Sequence, residues 1–355
     1  MSALKQALVQ QIRQTGPLSV AQFMAACLYD PRRGYYAREP AIAADGDFIT
    51  APESSQMFGE LIGLWCVHEW DALGRPQPFQ LIELGPGNGA LISDAWRAAR
   101  IQPAFRDAAQ IHLIEASDAL RGRQAQALAR FDAKPRWHER FETVPEAAGF
   151  VVANEFFDCL PIRQFVRSED GWRERLVGLI EDDLSFGLFA RAAHDPIIPP
   201  ALHDAPLGTI AEIAPGLEAW IDLLARRLKA APGRVLIIDY AGDGSGDTLQ
   251  AVRGHAKESP LEAPGEADLT ARVDFRALKI LARASGLDVH GPVDQGIFLA
   301  ALGIAQRAQA LADAHPERTE RIARELLRLT DDSEMGVLFK AICLSSPDLP
   351  APAAF

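Results

Sequence analysis

The chain has 355 residues, is 48% hydrophobic, and carries 36 Lys plus Arg against 48 Asp plus Glu, a formal charge of −12. That length can bury a substantial core in one large domain or two smaller ones, and the acidic excess, with no visible basic cluster, argues against a nucleic-acid or anionic-membrane partner. No apolar stretch reaches the ~18 residues of a membrane span, and the four cysteines (Cys27, Cys66, Cys159, Cys343) form no Cys-x-x-Cys pair, so no metal site and no disulfide framework is suggested.

The opening MSALKQALVQQIRQTG lacks the apolar block of a secretory leader and carries few arginines, so it reads as the first helix of the fold, in a cytoplasmic protein. Residues 1–75 are expected to form a helical cap, its longest helix running through SSQMFGELIGLWCVHEWDAL with Phe58, Leu61, Ile62, Trp65 and Glu69 on one face. From Gln80 the pattern changes to short apolar strands alternating with helices: QLIEL, NGALISDAWRAA, IHLIEA, a helix over 118–131, then FVVANEF. This alternation predicts an α/β fold with a mostly parallel sheet and helices on both faces.

RQFVR, WRERLVGL and LSFGLFA break the rhythm and predict antiparallel strands in an insertion over 162–215. The core resumes with a helix over 216–231, the strand GRVLIIDY, a Gly/Asp-rich loop over 241–271, a helix over 274–285, strand-like LDVHG, a helical pair over 296–330 and the strand VLFKAICLS. The expected core is therefore 76–161 plus 216–346, and the tail PDLPAPAAF, 347–355, is expected to be loose.

ELGPGNG, residues 83–89, follows a strand and opens a helix. Gly85, Gly87 and Gly89 allow a sharp turn and close approach to a ligand, and the helix start offers free N–H groups to an anion. Gly85, Gly87 and Ala90 also fit the dinucleotide fingerprint, which leaves NAD and S-adenosylmethionine both open. Glu83 is taken as the discriminator, since an acid there would repel a pyrophosphate but suit an ammonium or sulfonium. Glu115, ending the next strand, is placed to accept hydrogen bonds from ribose hydroxyls, against the plainer reading that it caps the helix starting near Ser117.

VVANEFFDCLP, residues 151–161, drives Asn154, Glu155 and Asp158 to the end of an apolar strand. Carboxylates held close in a low-dielectric cleft demand a cation, and a planar guanidinium pairs with them through parallel hydrogen bonds. These residues are therefore assigned to arginine methylation, with a structural ion pair to Arg163 as the bland alternative. Thr50-x-x-Glu53, with Pro52 between, reads alone as a helix capping box. Cys159 reads as packing, and His255 is a weak candidate for a general base.

The blocks GDFITAPESSQMFGEL, LIELGPGNG, NEFFDCLP, GDTLQAVRGH, DLTARVDF and QGIFLAALG together resemble the MidA-like family, from Gln22 to about Ser345. Its mitochondrial members are assembly factors of respiratory complex I. The resemblance implies a class I methyltransferase fold with added segments, S-adenosylmethionine as cofactor, and symmetric dimethylation of an arginine on a complex I core subunit or, in a bacterial member, its equivalent. It implies Gly85, Gly87 and Gly89 on the donor, Glu115 on its ribose, Asn154 and Glu155 at methyl transfer, and Gly46, Asp47, Thr50, Pro52 and Glu53 as cover on the cofactor side. After LIIDY the family usually continues with glycine, whereas Ala241 precedes Gly242 here, which leaves the roles of Tyr240 and His255 open. The alternatives are a non-catalytic donor-binding assembly factor and an NAD-dependent dehydrogenase.

Overall fold

Apolar runs as short and continuous as QLIEL and VVAN need cover on both faces of their sheet. The computed structural model describes residues 2–37, 50–193 and 198–355, and these divide into two compact units. Within the described residues one unit takes 2–37, 157–219 and 242–278; the other takes 50–156, 220–241 and 279–355.

The second unit holds the strands β1 (Phe79–Leu84), β2 (Ala109–Ile114), β3 (Arg136–His138), β4 (Gly149–Asn154), β5 (Gly233–Gly242), β6 (Asp288–Asp294) and β7 (Phe339–Ser345). Their spatial order is β6-β7-β5-β4-β1-β2-β3. The five strands from β5 to β3 are parallel, and β7 runs antiparallel between β5 and β6. This is the α/β sheet that the alternating pattern predicts. The chain steps outward from β1 through β2 to β3, then returns to β4 on the other side of β1. Ligands in open sheets of this kind gather at the carboxyl ends beside such a reversal, which here is the end of β1 next to the end of β4.

The core of this unit is built on Trp65, Trp70, Phe79, Phe105 and Phe150, whose rings meet edge-on or tilted at 4.8–6.3 Å. Helix Gln56–Ala72 lies directly against helix Ala90–Ala98. A Cβ on Gly63 would stand 2.5 Å from Ala95 Cα, so the two backbones meet only because glycine is there. Gln56–Ala72 therefore belongs to the core rather than to the 1–75 cap expected above. Three further expectations change. The tail is fastened: Ala353 donates its N–H to Glu69 and accepts from the Trp65 indole, and Phe355 packs on Phe298. Glu69 in turn lies 2.8 Å from the Arg234 guanidinium, both fully buried. The stretch 162–215 does not stand alone but shares its unit with 2–37 and 242–278, and Phe157–Pro161 joins it there.

In the first unit, helices Ala3–Thr15 and Val20–Tyr29 start at Ser2 and Ser19, the second with a complete capping box to Gln22. The predicted strands appear as Arg163–Ser168, Gly171–Ile180 and Asp183–Leu188, antiparallel, with Ile210–Ile213 beside the first. The long loop contains a small antiparallel sheet of Gln250–Arg253, Ala256–Glu258 and Asp268–Thr270. Gly254 and His255 make its two-residue turn, both with positive φ (54° and 63°), the type I′ geometry that suits a hairpin. His255 is thus explained by its turn. No helix of the described residues is long and apolar enough to cross a membrane.

Glu83 also departs from its expected role. Its side chain turns in among Ile62, Gly63, Cys66, Leu91 and Ala95, and it accepts the backbone N–H of Ile92. Burial pushes its carboxyl up to about 8. Near pH 7 such a group is mostly protonated, so it cannot repel a pyrophosphate, and the discriminator drawn from it fails. A carboxyl with a raised folded value contributes its stability below the ordinary value near 4.5 and loses it as pH rises through 8. Thermal unfolding of the ligand-free protein should therefore show a midpoint that falls between pH 5 and pH 8.5. Glu83→Gln, which keeps the shape and the acceptor, should flatten that fall and unfold later than wild type at pH 8.5.

Candidate active site

The glycine loop leaves β1 at the sheet's reversal point. Gly85, Gly87 and Gly89 have φ of 60°, 55° and 85°, a region that disfavours any side chain. A Cβ on Gly85 would also sit 2.9 Å from the Phe156 ring, and one on Gly89 3.2 Å from Gln124 Cα. The loop is fastened from below: fully buried Gln124 donates to the Gly87 carbonyl at 2.8 Å and to Glu115 Oε2 at 3.1 Å, and the Trp137 indole donates to Gln124 Oε1. Glu115 Oε1 accepts the Ser117 N–H at 2.8 Å, so part of this carboxylate does cap the turn into helix Asp118–Ala129. The group remains half-exposed at the end of β2, and burial raises its carboxyl above the ordinary range.

Asn154 is the last residue of β4 and Glu155 follows with φ of 49°. A non-glycine residue in that region is strained by ~1–3 kcal/mol, and such strain persists only where neighbours enforce it. Here the enforcement comes from both sides. Glu155 donates its N–H to the Ile238 carbonyl at 2.9 Å, and Phe156 donates to Asp239 Oδ2 at 3.1 Å. The twist turns the Glu155 carboxyl onto the start of helix Ala51–Ser54: Oε1 accepts the Ala51 N–H and the Asn154 side-chain amide, each at 3.0 Å. Burial pushes Glu155 up to about 7, opposed by those two donors and reinforced by the charges of Asp239 and Glu53.

Glu53 joins this group to the glycine loop. Its Oε1 accepts the Asn88 side-chain amide at 2.6 Å, while Asn88 Oδ1 accepts the Ala90 N–H. Glu53 also takes the Thr50 N–H, which is half of the expected capping box; the Thr50 hydroxyl makes no capping bond, and Pro52 sits in the first turn. Burial raises the Glu53 carboxyl. Its Oε2 and Asn154 Oδ1 are both buried without a hydrogen-bond partner among the described residues.

The acids collected around Glu155 are therefore Asp239 and Glu53, not Asp158. Asp158 falls in the first unit, close to the Tyr29 hydroxyl and to Cys159, whose thiol burial and Asp158 together raise. Cys159 is buried there, its Sγ 2.9 Å from the Tyr36 hydroxyl. Arg163 pairs with Glu174 through two bonds of 2.8 and 2.7 Å, so it is spent on a structural ion pair elsewhere. Tyr240 packs on Phe339. Gly46 and Asp47 lie outside the described residues. Asp239 was legible in principle, since LIID ends an apolar strand in an acid just as HLIE does; Asn88 stood inside the glycine loop; Gln124, mid-helix, carried no signal.

The loop cradle and the orphaned acceptors fit a nucleoside ligand that also brings N–H donors, and known proteins agree. The family described as "Putative S-adenosyl-L-methionine-dependent methyltransferase" matches residues 61–293. The protein arginine methyltransferase NDUFAF7 homolog, mitochondrial, of Drosophila melanogaster is 36% identical over 96% of this chain and 84% of its own. The human protein arginine methyltransferase NDUFAF7, mitochondrial, is 34% identical over 95% and 82%. A Burkholderia thailandensis protein crystallised with S-adenosyl-homocysteine superposes with a TM-score of 0.86 at 26% identity, covering 99% of this chain and 94% of that one. The chain thus belongs to the S-adenosyl-L-methionine-dependent methyltransferase family, and that donor is its cofactor.

Proposed function

We propose that the protein methylates arginine side chains of a protein substrate, with Glu155 as the carboxylate that receives the guanidinium. The observation that carries this reading is Glu155 itself, held in a left-handed conformation at the sheet's reversal point with one oxygen committed to Ala51 and Asn154 and the other free of both bonds. The curated relatives from fly and human are named as protein arginine methyltransferases, which favours the same substrate. The sequence blocks noted above extend the reading to a complex I core subunit or its bacterial equivalent, and to a cytoplasmic setting in a bacterium where the named relatives are mitochondrial.

Bound S-adenosylmethionine supplies an activated methyl group on a sulfonium. The Gly85–Gly89 loop and Glu115 would hold its nucleoside, the loop by close backbone approach and Glu115 by its remaining lone pairs. Glu155 would align the guanidinium and localise its positive charge away from the attacking nitrogen, which is otherwise protonated to above pH ~12. It is also the group placed to take the proton that the nitrogen gives up. Asp239, bonded to the N–H groups of Phe156 and Tyr240, would keep the Glu155 turn in place and disfavour a second full negative charge until the cation arrives.

Mass spectrometry of the chain's labelled protein product is the direct test; label on a residue other than arginine removes the reading. Glu155→Gln should abolish transfer while donor affinity stays within a few fold, whereas Glu115→Ala should chiefly weaken the donor. The opposite pattern would exchange the two roles. Since the guanidinium stays charged throughout, kcat/KM should rise about tenfold per pH unit on the acid side and level off near pH 7, where free Glu155 loses its proton. A flat profile from pH 5.5 to 8 would exclude Glu155 as the receiving carboxylate.

A further inference from the structure

We infer that Glu53 binds the α-ammonium of the donor's amino-acid end and so recognises that end of the cofactor specifically. Two features of the geometry lead to this. Glu53 is anchored to the donor's own loop, through the 2.6 Å bond from Asn88 to its Oε1, and its Oε2 points into a buried position where no described residue donates to it. A buried carboxylate oxygen left in that state has lost its water and gained nothing in return, so the site is complete only with a ligand donor. Asn154 Oδ1, on an amide bonded to Glu155 and nine-tenths buried, is a second acceptor in the same condition.

The chemistry of the missing donor is constrained. The sulfonium has no N–H and cannot satisfy a lone pair by hydrogen bonding. The adenine amine and the ribose hydroxyls are donors but neutral, and a buried carboxylate is compensated by charge as well as by a hydrogen bond. The ammonium supplies both. The donor's carboxylate is disfavoured in this place, because the bonds of Ala51 and Asn154 to Glu155 and of Phe156 to Asp239 gather three acids, Glu53, Glu155 and Asp239, around it. Helix Ala51–Ser54 links the two halves of the arrangement, carrying Glu53 at its third position and donating the Ala51 N–H to Glu155. Glu53 would therefore also register the amino-acid end of the donor beside the receiving carboxylate.

The inference builds on the donor rather than on the arginine substrate, so it can fail or stand without the proposed substrate. Calorimetric titration of the full chain with S-adenosylhomocysteine and with 5′-methylthioadenosine, which keeps the nucleoside but lacks the amino-acid end, tests it. Glu53→Gln retains an acceptor for Asn88 and should weaken S-adenosylhomocysteine at least tenfold while leaving methylthioadenosine within about twofold. Glu53→Asp, which keeps the charge but draws it back, should fall between. Equal weakening of both ligands would assign Glu53 to the nucleoside or to the loop's shape, and unchanged binding of both with a raised KM for the protein substrate would assign it to the guanidinium; either overturns the inference. So would a wild-type chain that binds the two ligands with affinities within twofold of each other.

Discussion

The site rests on an imbalance between hydrogen-bond acceptors and donors at the carboxyl ends of β1, β4 and β5. The bonds that Glu53 and Glu155 receive come from backbone N–H groups and from the amides of Asn88 and Asn154. These are neutral donors, enough to hold the carboxyls in place but not to cancel their charge. Water would cancel it, but burial removes water, and the carboxyls respond by holding their protons more tightly. A cation entering here is welcomed twice, by Coulombic attraction and by lone pairs already oriented. An arginine of the protein placed in the same position would have neutralised the acids and closed the site. Arg163, the partner that the sequence offered for Glu155, is paired with Glu174 instead.

The same region brings the glycine loop close to the turn that carries Glu155, and the two meet at Phe156. Its ring lies over Gly85, which is why that position tolerates no side chain, and its backbone N–H is tied to Asp239. The Phe156 ring also meets Trp220 edge-on at 5.0 Å. Fixing Phe156 in this way holds Glu155, its neighbour, in a left-handed conformation that an isolated glutamate would leave. Strain at the acid and tightness at the glycine loop are thus two results of one packed contact. Segment 50–53 adds a further tie, since it bonds to the loop through Glu53 and to the acid through Ala51.

Much of this was readable from residues alone. Strand and helix periods foretold the parallel sheet, and the glycine spacing foretold the loop. The carboxyl ends of apolar strands single out Glu115 and Glu155, and the structure sets each directly after the last residue of its strand. The failures have physical causes. Helical spacing pairs Asp158 with Glu155, but the chain crosses into the other unit at Phe157 and takes Asp158 with it. The position of Glu83 before the glycine loop suggests a charge facing the ligand, but side chains alternate along a strand and its own points into the core. The tail looked loose by composition, yet Ala353 and Phe355 find partners on helices distant in sequence.

The sequence by itself determined the class of fold, the glycine loop after the first strand and the family, since all three depend on local pattern and on blocks of adjacent residues. Only the tertiary structure decided which acids lie together, because Glu53, Glu155 and Asp239 are separated by a hundred and eighty-odd residues from first to last and meet through the pairing of β4 with β5 and the bond from Ala51 to Glu155 rather than through spacing. Charge state was likewise a tertiary matter. Glu83, Glu115 and Glu155 look alike in sequence, each an acid at or near the end of an apolar strand, and only the fold shows that burial raises all three, against a different set of neighbouring donors around each.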